Sequence, residues 1–164
     1  MPIVLYRVDE RLIHGQVVIG WGLQLRPDRY LVVDEALAGS AWEQDLYRLG
    51  AGDAEVVFAT PDEARALVPQ WRAAPERSIV LTRDIATMLG LARDGVLEGA
   101  QINLGGLRHA PGREEVLTYL HLSDDDMRDL EALAGAGVEV SAQDLPDSHR
   151  VTLETLAKTR WKSH

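Results

Sequence analysis

Residues 55–81 read EVVFATPDEARALVPQWRAAPERSIVL. Glu55-Val-Val-Phe58 is a short apolar run rich in β-branched residues, which predicts a buried strand. Thr60-Pro61-Asp62-Glu63 is a helix start: Thr60 can cap, Pro61 suits the first helical position, and Glu63 completes a capping box. Ala64, Leu67, Val68 and Trp71 form the apolar stripe of that helix. Ser78-Ile-Val-Leu81 is the next strand. The stretch is therefore a strand–helix–strand unit, which implies parallel strands joined by a crossover helix.

The same alternation extends in both directions. Ile3 to Tyr6 reads as a first strand, and His14, Val17, Val18, Trp21, Gly22 and Leu25 follow helical spacing after it. Tyr30-Leu-Val-Val33 is a second strand closed by Asp34, and Trp42 to Leu49 is a helix ended by Gly50 and Gly52. A helix is expected from Asp84 to Arg93, and a fifth strand at Gln101-Ile-Asn-Leu104. Val116 to Leu122 reads as a sixth strand, with a helix as the alternative. Ser123 and three aspartates open a helix whose inner face is Met127, Leu130, Leu133 and Ala134. Val138-Glu-Val140 is a seventh strand, and the tail beyond His149 a last helix. The expected fold is α/β: one domain over residues 1–164, an open and mostly parallel sheet of about seven strands, helices on both faces. Such sheets place their sites beyond the carboxyl ends of the strands.

Composition narrows the chemistry. The chain has 164 residues, of which 46% are hydrophobic and 26% charged, ordinary values for a globular domain. It has no cysteine, which excludes disulfides, thiolate metal sites and cysteine nucleophiles. Seventeen Lys and Arg against 26 Asp and Glu leave a net charge of −9, so nucleic acid is not an expected partner. The opening Met-Pro-Ile-Val-Leu-Tyr-Arg does not resemble a signal peptide, and no apolar run approaches the roughly 18 residues of a membrane span. A cytoplasmic location is expected. There is no G-x-G-x-x-G after a strand, no G-x-x-x-x-G-K-[ST] and no G-x-S-x-G, so nucleotide cofactors and a serine-hydrolase elbow are not expected. No cofactor or metal is implied. The aspartates at Asp124 to Asp126 suit a helix dipole better than a cation, since no second ligand set follows.

The loop after the first strand departs from a plain connection. Arg7-Val-Asp9-Glu-Arg11-Leu-Ile-His14-Gly15-Gln16 gathers two arginines, acids and a histidine at a strand's carboxyl end. Unpaired N–H groups at the start of the following helix favour anions. An imidazole nitrogen is a competent nucleophile toward phosphorus. Arg7 and Arg11 offer fork-shaped donors to phosphoryl oxygens, and Asp9 could aim an arginine or orient the ring. Phosphoryl transfer depends mostly on positioning and charge stabilisation, so either arginine is expected to matter more for transfer than for folding. From residue types alone, His14 as a helix cap or surface residue beside a plain loop salt bridge is the leading reading, and phosphoryl chemistry the alternative.

Arg7-Val-Asp-Glu-Arg-Leu-Ile-His-Gly-Gln-Val17 closely resembles the opening motif of the mannose/fructose/sorbose family of phosphotransferase-system IIB components. Val32-Val33-Asp34, Asn103-Leu-Gly105-Gly106-Leu107, Leu122-Ser-Asp-Asp-Asp126, Gly137-Val-Glu-Val140 and Asp144-Leu-Pro146 resemble later segments of that family in order, so the likeness spans nearly the whole chain. It implies that His14 accepts a phosphoryl group on Nδ1 from a phosphohistidine of a IIA component. The group would then pass to a sugar during transport through the membrane components IIC and IID, with this chain associated peripherally. Arg7, Arg11 and Asp9 fall on motif positions, as do Gly15 and Gln16. Asp34, Gly105, Gly106, Arg108 and His109 complete the expected phosphate- or partner-binding set. Where relatives often carry Met-His after the paired glycines, this chain has Leu107-Arg108-His109, which either faces the phosphate or shapes a docking surface. His109 is thus a site-edge or plain loop residue, and Asp34 meets Arg11 or the His14 loop, or caps a helix. His121 is expected to be structural, and His149 and His164 solvated. The alternative function is a regulatory binding module that senses the phosphorylation state of a IIA partner. A plain flavodoxin-like binding domain is a third.

Overall fold

The computed structural model describes residues 2–162; His164 lies outside them. Strands β1 (Ile3–Val8), β2 (Arg29–Val33), β3 (Glu55–Ala59), β4 (Ser78–Thr82), β5 (Gln101–Leu104), β8 (Glu139–Ala142) and β9 (Val151–Thr152) form a seven-stranded sheet in the order β3-β2-β4-β1-β5-β8-β9. Every pairing is parallel except β8 with the edge strand β9. A hairpin, β6 (Glu114–Leu117) and β7 (Leu120–Leu122), stands apart as a second, two-stranded antiparallel sheet.

The hairpin corrects one expectation. Val116 to Leu122 is not a sixth strand of the main sheet but parts of two strands, separated by a turn at Thr118 and Tyr119. That turn carries none of the Gly, Asn or Pro that usually mark a two-residue hairpin, so it is silent in the sequence. The seventh sheet strand comes instead from Val151–Thr152, at the start of a tail read as helix alone. The tail helix does follow, as α6 (Leu153–Lys162).

Both faces of the sheet are covered. One core joins β-strand residues such as Val8, Val80 and Ile102 to Val68 and Trp71 of α3 (Pro61–Ala73), Met88 of α4 (Ile85–Leu91), Leu130 and Leu133 of α5 (Asp124–Gly135), and Leu156 of α6. The opposite core packs Leu12, Ile13, Val17 and Leu37 on Tyr30, Val32, Ile79 and Leu81. Helix α3 starts as its sequence dictates. Thr60 Oγ1 accepts from Glu63 N at 3.2 Å, Glu63 Oε1 accepts from Thr60 N at 3.4 Å, and Pro61 occupies the first position.

Between β1 and β2 the chain does not make a plain α-helix. Gln16–Trp21 winds as a π-helix, with Gly22 N–H bonded to Val17 O, before α1 (Gly22–Leu25). The wider turn carries Trp21 inward, where its Nε1 donates to Asp144 O at 3.0 Å. Such π segments are frequent at functional sites. Glycine is required where the segment meets β2: a Cβ on Gly22 would lie 2.8 Å from the Tyr30 hydroxyl.

Candidate functional site

β1, β4 and β5 are neighbours in the sheet, and their carboxyl ends carry the site. Backbone bonds tie the three exits together. Asp9 N donates to Thr82 O (3.0 Å), Glu10 N to Gly106 O (3.0 Å) and Gly105 N to Val8 O (2.7 Å). Leu12 then turns the chain, with φ 55° and its apolar side chain fully buried. A left-handed leucine is uncommon, and it delivers His14 to the start of the π-helix. Val18 N bonds His14 O at 2.9 Å, which makes the histidine the last residue before the helical ladder.

Asp9 is the hub. It is fully buried. Oδ2 accepts from Arg7 Nη2 at 3.2 Å and lies 3.1 Å from His14 Nε2. That imidazole contact has ion-pair distance without the alignment of a full hydrogen bond. Oδ1 accepts from Arg11 N at 3.2 Å and is 3.7 Å from Arg11 Nε. Burial alone would raise the Asp9 pKa, but the contact with His14, the charges of Arg7 and His14 and the Arg11 amide together hold it below the ordinary carboxylate value. Asp9 is therefore ionised at neutral pH. His14 keeps its ring only slightly exposed, with Nε2 buried against Asp9, and no protein hydrogen bond engages Nδ1 among the described residues.

The two arginines play different parts. Arg7 is wholly buried. Nη1 donates to the Asn103 side chain and to Gln143 O (2.9 Å), Nη2 to Asp9 and to Asp144 O (3.0 Å), and the guanidinium lies 5.3 Å from the Trp21 ring centroid. Burial lowers its pKa while Asp9 and Asp144 draw it back; a guanidinium stays charged there. Its terminal donors are committed to the protein, so Arg7 supports Asp9 rather than reaching for an incoming oxyanion. Arg11 is half exposed, with Nη2 donating to Gln16 Oε1 at 2.8 Å.

The glycine loop closes over this pair. A Cβ on Gly105 would overlap the Arg7 guanidinium and sit 2.6 Å from Asp9 Oδ2, whereas one on Gly106 would meet only ordinary contacts with Arg11 and Asp9. Beyond them, Arg108 N donates to Glu10 Oε1 at 2.8 Å, and the exposed Arg108 side chain pairs with Glu10 at 3.5 Å. His109 turns to the hairpin, its ring edge-on to His121 at 5.9 Å. His121 is structural as expected, with Nδ1 3.2 Å from Leu107 O. Asp34 holds the turn that follows it: Oδ2 accepts from Leu37 N at 3.0 Å, and Oδ1 lies 3.4 Å from Arg83 Nε. Its partners are thus Leu37 and Arg83, not Arg11. Gly15 has open space around it.

Asn103, Trp21, Arg83 and the carbonyls of Gln143 and Asp144 were not among the expected site residues. Asn103 and Asp144 lie in segments that carried the family likeness, which was the available signal. Trp21 reads as an ordinary core residue in the sequence, and nothing there ties Arg83 to Asp34.

A family model described as "PTS system sorbose subfamily IIB component" matches residues 3–164. The chain belongs to that family. As a IIB component it is a phosphotransferase of the sugar phosphotransferase system. It is 31% identical over 156 residues to the N-acetylgalactosamine-specific phosphotransferase enzyme IIB component 2 of Escherichia coli, covering 93% of this chain and 98% of that protein. It is 26% identical over 141 residues to the sorbose-specific EIIB component of Klebsiella pneumoniae, covering 85% of each. Among solved structures, the IIBSor domain of the Klebsiella pneumoniae sorbose permease superposes with a TM-score of 0.85 at 26% identity, covering 97% of this chain and 98% of that one. Among the described residues of this IIB chain, no helix is long and apolar enough to cross a membrane.

Proposed function

We propose that His14 is the phosphoryl acceptor of this IIB chain, and that Nδ1 is the atom that carries the group. The observation that carries this reading is the Asp9–His14 contact. An ionised carboxylate 3.1 Å from Nε2 favours the tautomer with its proton on Nε2, leaving the Nδ1 lone pair for phosphorus. A new P–N bond forms at Nδ1 as the donor's bond to phosphorus breaks and its electron pair returns to the donor. The ring becomes cationic as the bond forms, and buried Asp9 balances that charge at Nε2. Arg11, half exposed beside the ring, is the side chain free to turn from Gln16 to the phosphoryl oxygens. Arg7, itself held by Asn103 and Trp21, keeps Asp9 in place, and Gly105 keeps the ground above it clear.

The donor in this reading is a phosphorylated IIA component, and the final acceptor is a sugar met through the membrane components IIC and IID. The IIB chain works in the cytoplasm as their peripheral partner. His14 lines neither of two cavities of about 660 and 670 Å³. A surface acceptor suits transfer between proteins better than chemistry on a small molecule held in a pocket.

The test is a relay in a tube: phosphoenolpyruvate, the general phosphotransferase proteins, a IIA component, and either this chain or its His14→Ala variant. Intact mass read at neutral to basic pH should show one added phosphate on the parent and none on the variant. No addition to the parent, with the IIA component shown to be phosphorylated, would contradict the reading.

A further inference from the structure

We propose that the outward face of α2 (Ala41–Gly50) is a docking ridge for the protein that delivers the phosphoryl group to His14; this rests on the acceptor role proposed above. A helix laid on a sheet normally turns its apolar stripe inward. Helix α2 does the opposite. It buries none of its residues. Trp42, Leu46 and Leu49 share one face at i, i+4 and i+7, and they are 69%, 57% and 82% exposed. The inner side is held by polar and edge contacts. Gln44 donates to Leu37 O at 2.7 Å, the Tyr47 ring lies 6.4 Å from that of Phe58, and the Arg48 guanidinium is 5.2 Å from the Phe58 ring. Single exposed leucines are ordinary on a surface, but a row with a tryptophan marks an interface.

The ridge adjoins the acceptor. Gly50, next to Leu49, lies beside Ile13: an added Cβ would stand 3.8 Å from Ile13 Cγ2, and Ile13 is the residue before His14. On the other side of His14 along the chain, Ile19 and Leu23 are also largely exposed, one helical turn apart. A donor must bring phosphorus to roughly 3–3.5 Å from Nδ1 before the bond forms, so it must cover the ground beside His14.

Charge points to the same occupant. The loops after the adjacent strands β4, β1 and β5 present Arg83, Arg11 and Arg108, with side chains 41%, 51% and 86% exposed, on a chain of net charge −9. They complement an anionic phosphoryl group and its surroundings. A second copy would bring another −9 to the contact. An anionic membrane surface would meet Asp45, which is exposed on the same helix.

The test uses the full chain with Trp42→Ser and with the double variant Leu46→Ser, Leu49→Ser. Phosphoryl uptake is followed at increasing concentrations of phosphorylated IIA. Each variant should raise the KM for the donor roughly tenfold, the loss of one well-buried interface side chain, with the rate at saturating donor and the melting temperature unchanged. Parent-like KM values in both variants, while the parent takes up phosphate, overturn the ridge and leave the acceptor role standing. A parent that takes up no phosphate from any donor overturns both. Sedimentation decides one further outcome: a parental dimer that the variants dissociate, with KM unchanged, assigns the ridge to a second copy and overturns donor docking.

Discussion

Replacing Asp9 by Asn separates charge from shape at the centre of the site. The amide keeps the volume but cannot balance a cationic ring, and transfer to His14 is expected to slow by at least about tenfold. Stability should follow a defined pH course. The Asp9 pKa is lower folded than unfolded, because the contact with His14 and the charge of Arg7 outweigh burial. Its ionised form therefore stabilises the fold above the ordinary carboxylate value of about 3.9, and that contribution disappears as pH falls through the lowered folded value. Denaturation of parent and Asp9→Asn across pH 2–7, a range chosen around that value, should show a gap that is widest near neutrality and closes in acid. A gap independent of pH would contradict the assignment.

Arg7 and Arg11 look interchangeable in the sequence, two arginines four residues apart in one loop. The structure parts them. Arg7→Ala leaves Asp9 buried without its guanidinium partner and is expected to destabilise by about 3–5 kcal/mol. Arg11→Ala removes a half-exposed side chain and should change stability by no more than about 0.5 kcal/mol while slowing transfer. This reverses the expectation that Arg7 would matter less for folding than for transfer. Chemical denaturation beside transfer kinetics checks both. The difference was not legible because a strand's alternation tells which face a residue takes, not whether a cation there meets Asn103 of β5 and the carbonyls of Gln143 and Asp144 far along the chain. His14 and its neighbours were legible because they crowd into one short segment.

At the scale of elements, the glycine loop after β5 is the most exacting. Gly105→Ala would drive a methyl group into Arg7 and Asp9, an overpacking expected to cost about 1–3 kcal/mol and to reduce transfer. Gly106→Ala should be mild on both counts, since its neighbours stand at contact distance. Thermal melts and uptake rates of the pair check this, and equal effects would contradict the clamp. Most elements were legible because each carries its own signal. Helix α3 announces itself through Thr60, Pro61 and Glu63, and α5 through Ser123 and its aspartates. The β6–β7 hairpin was not, because its Thr118–Tyr119 turn has no turn residues. Its place is set by distant contacts instead, such as Leu107 N to Tyr119 O at 3.0 Å. The π-helix was also hidden. Apolar spacing over residues 14–25 suits an α-helix, and the contacts of Trp21 with Asp144 and Arg7 that accompany the wider turn come from far along the chain or from the preceding strand.

Over the whole molecule, the sheet order explains why one end carries the chemistry. β1 lies inside the sheet between β4 and β5, so the loops at its carboxyl end meet those of both neighbours and of β8 beyond. Asn103 of β5 and the Gln143 carbonyl at the exit of β8 both meet the guanidinium of Arg7 on β1, which in turn meets Asp9. The class of fold was readable from alternation, and the Arg7–Gln16 loop stood out through its crowded charges and the family likeness. The antiparallel edge β9 was not, because two residues are too short to show a period. On the proposed function, this scaffold presents one nitrogen of one histidine to the incoming phosphoryl group. The most direct measurement is nitrogen and phosphorus NMR of the phosphorylated chain, with ¹⁵N in its histidine rings. The expected result is a phosphorus-coupled Nδ1 signal from His14 and a proton retained on Nε2 facing Asp9. Phosphorus on Nε2, or on any other residue, would contradict it.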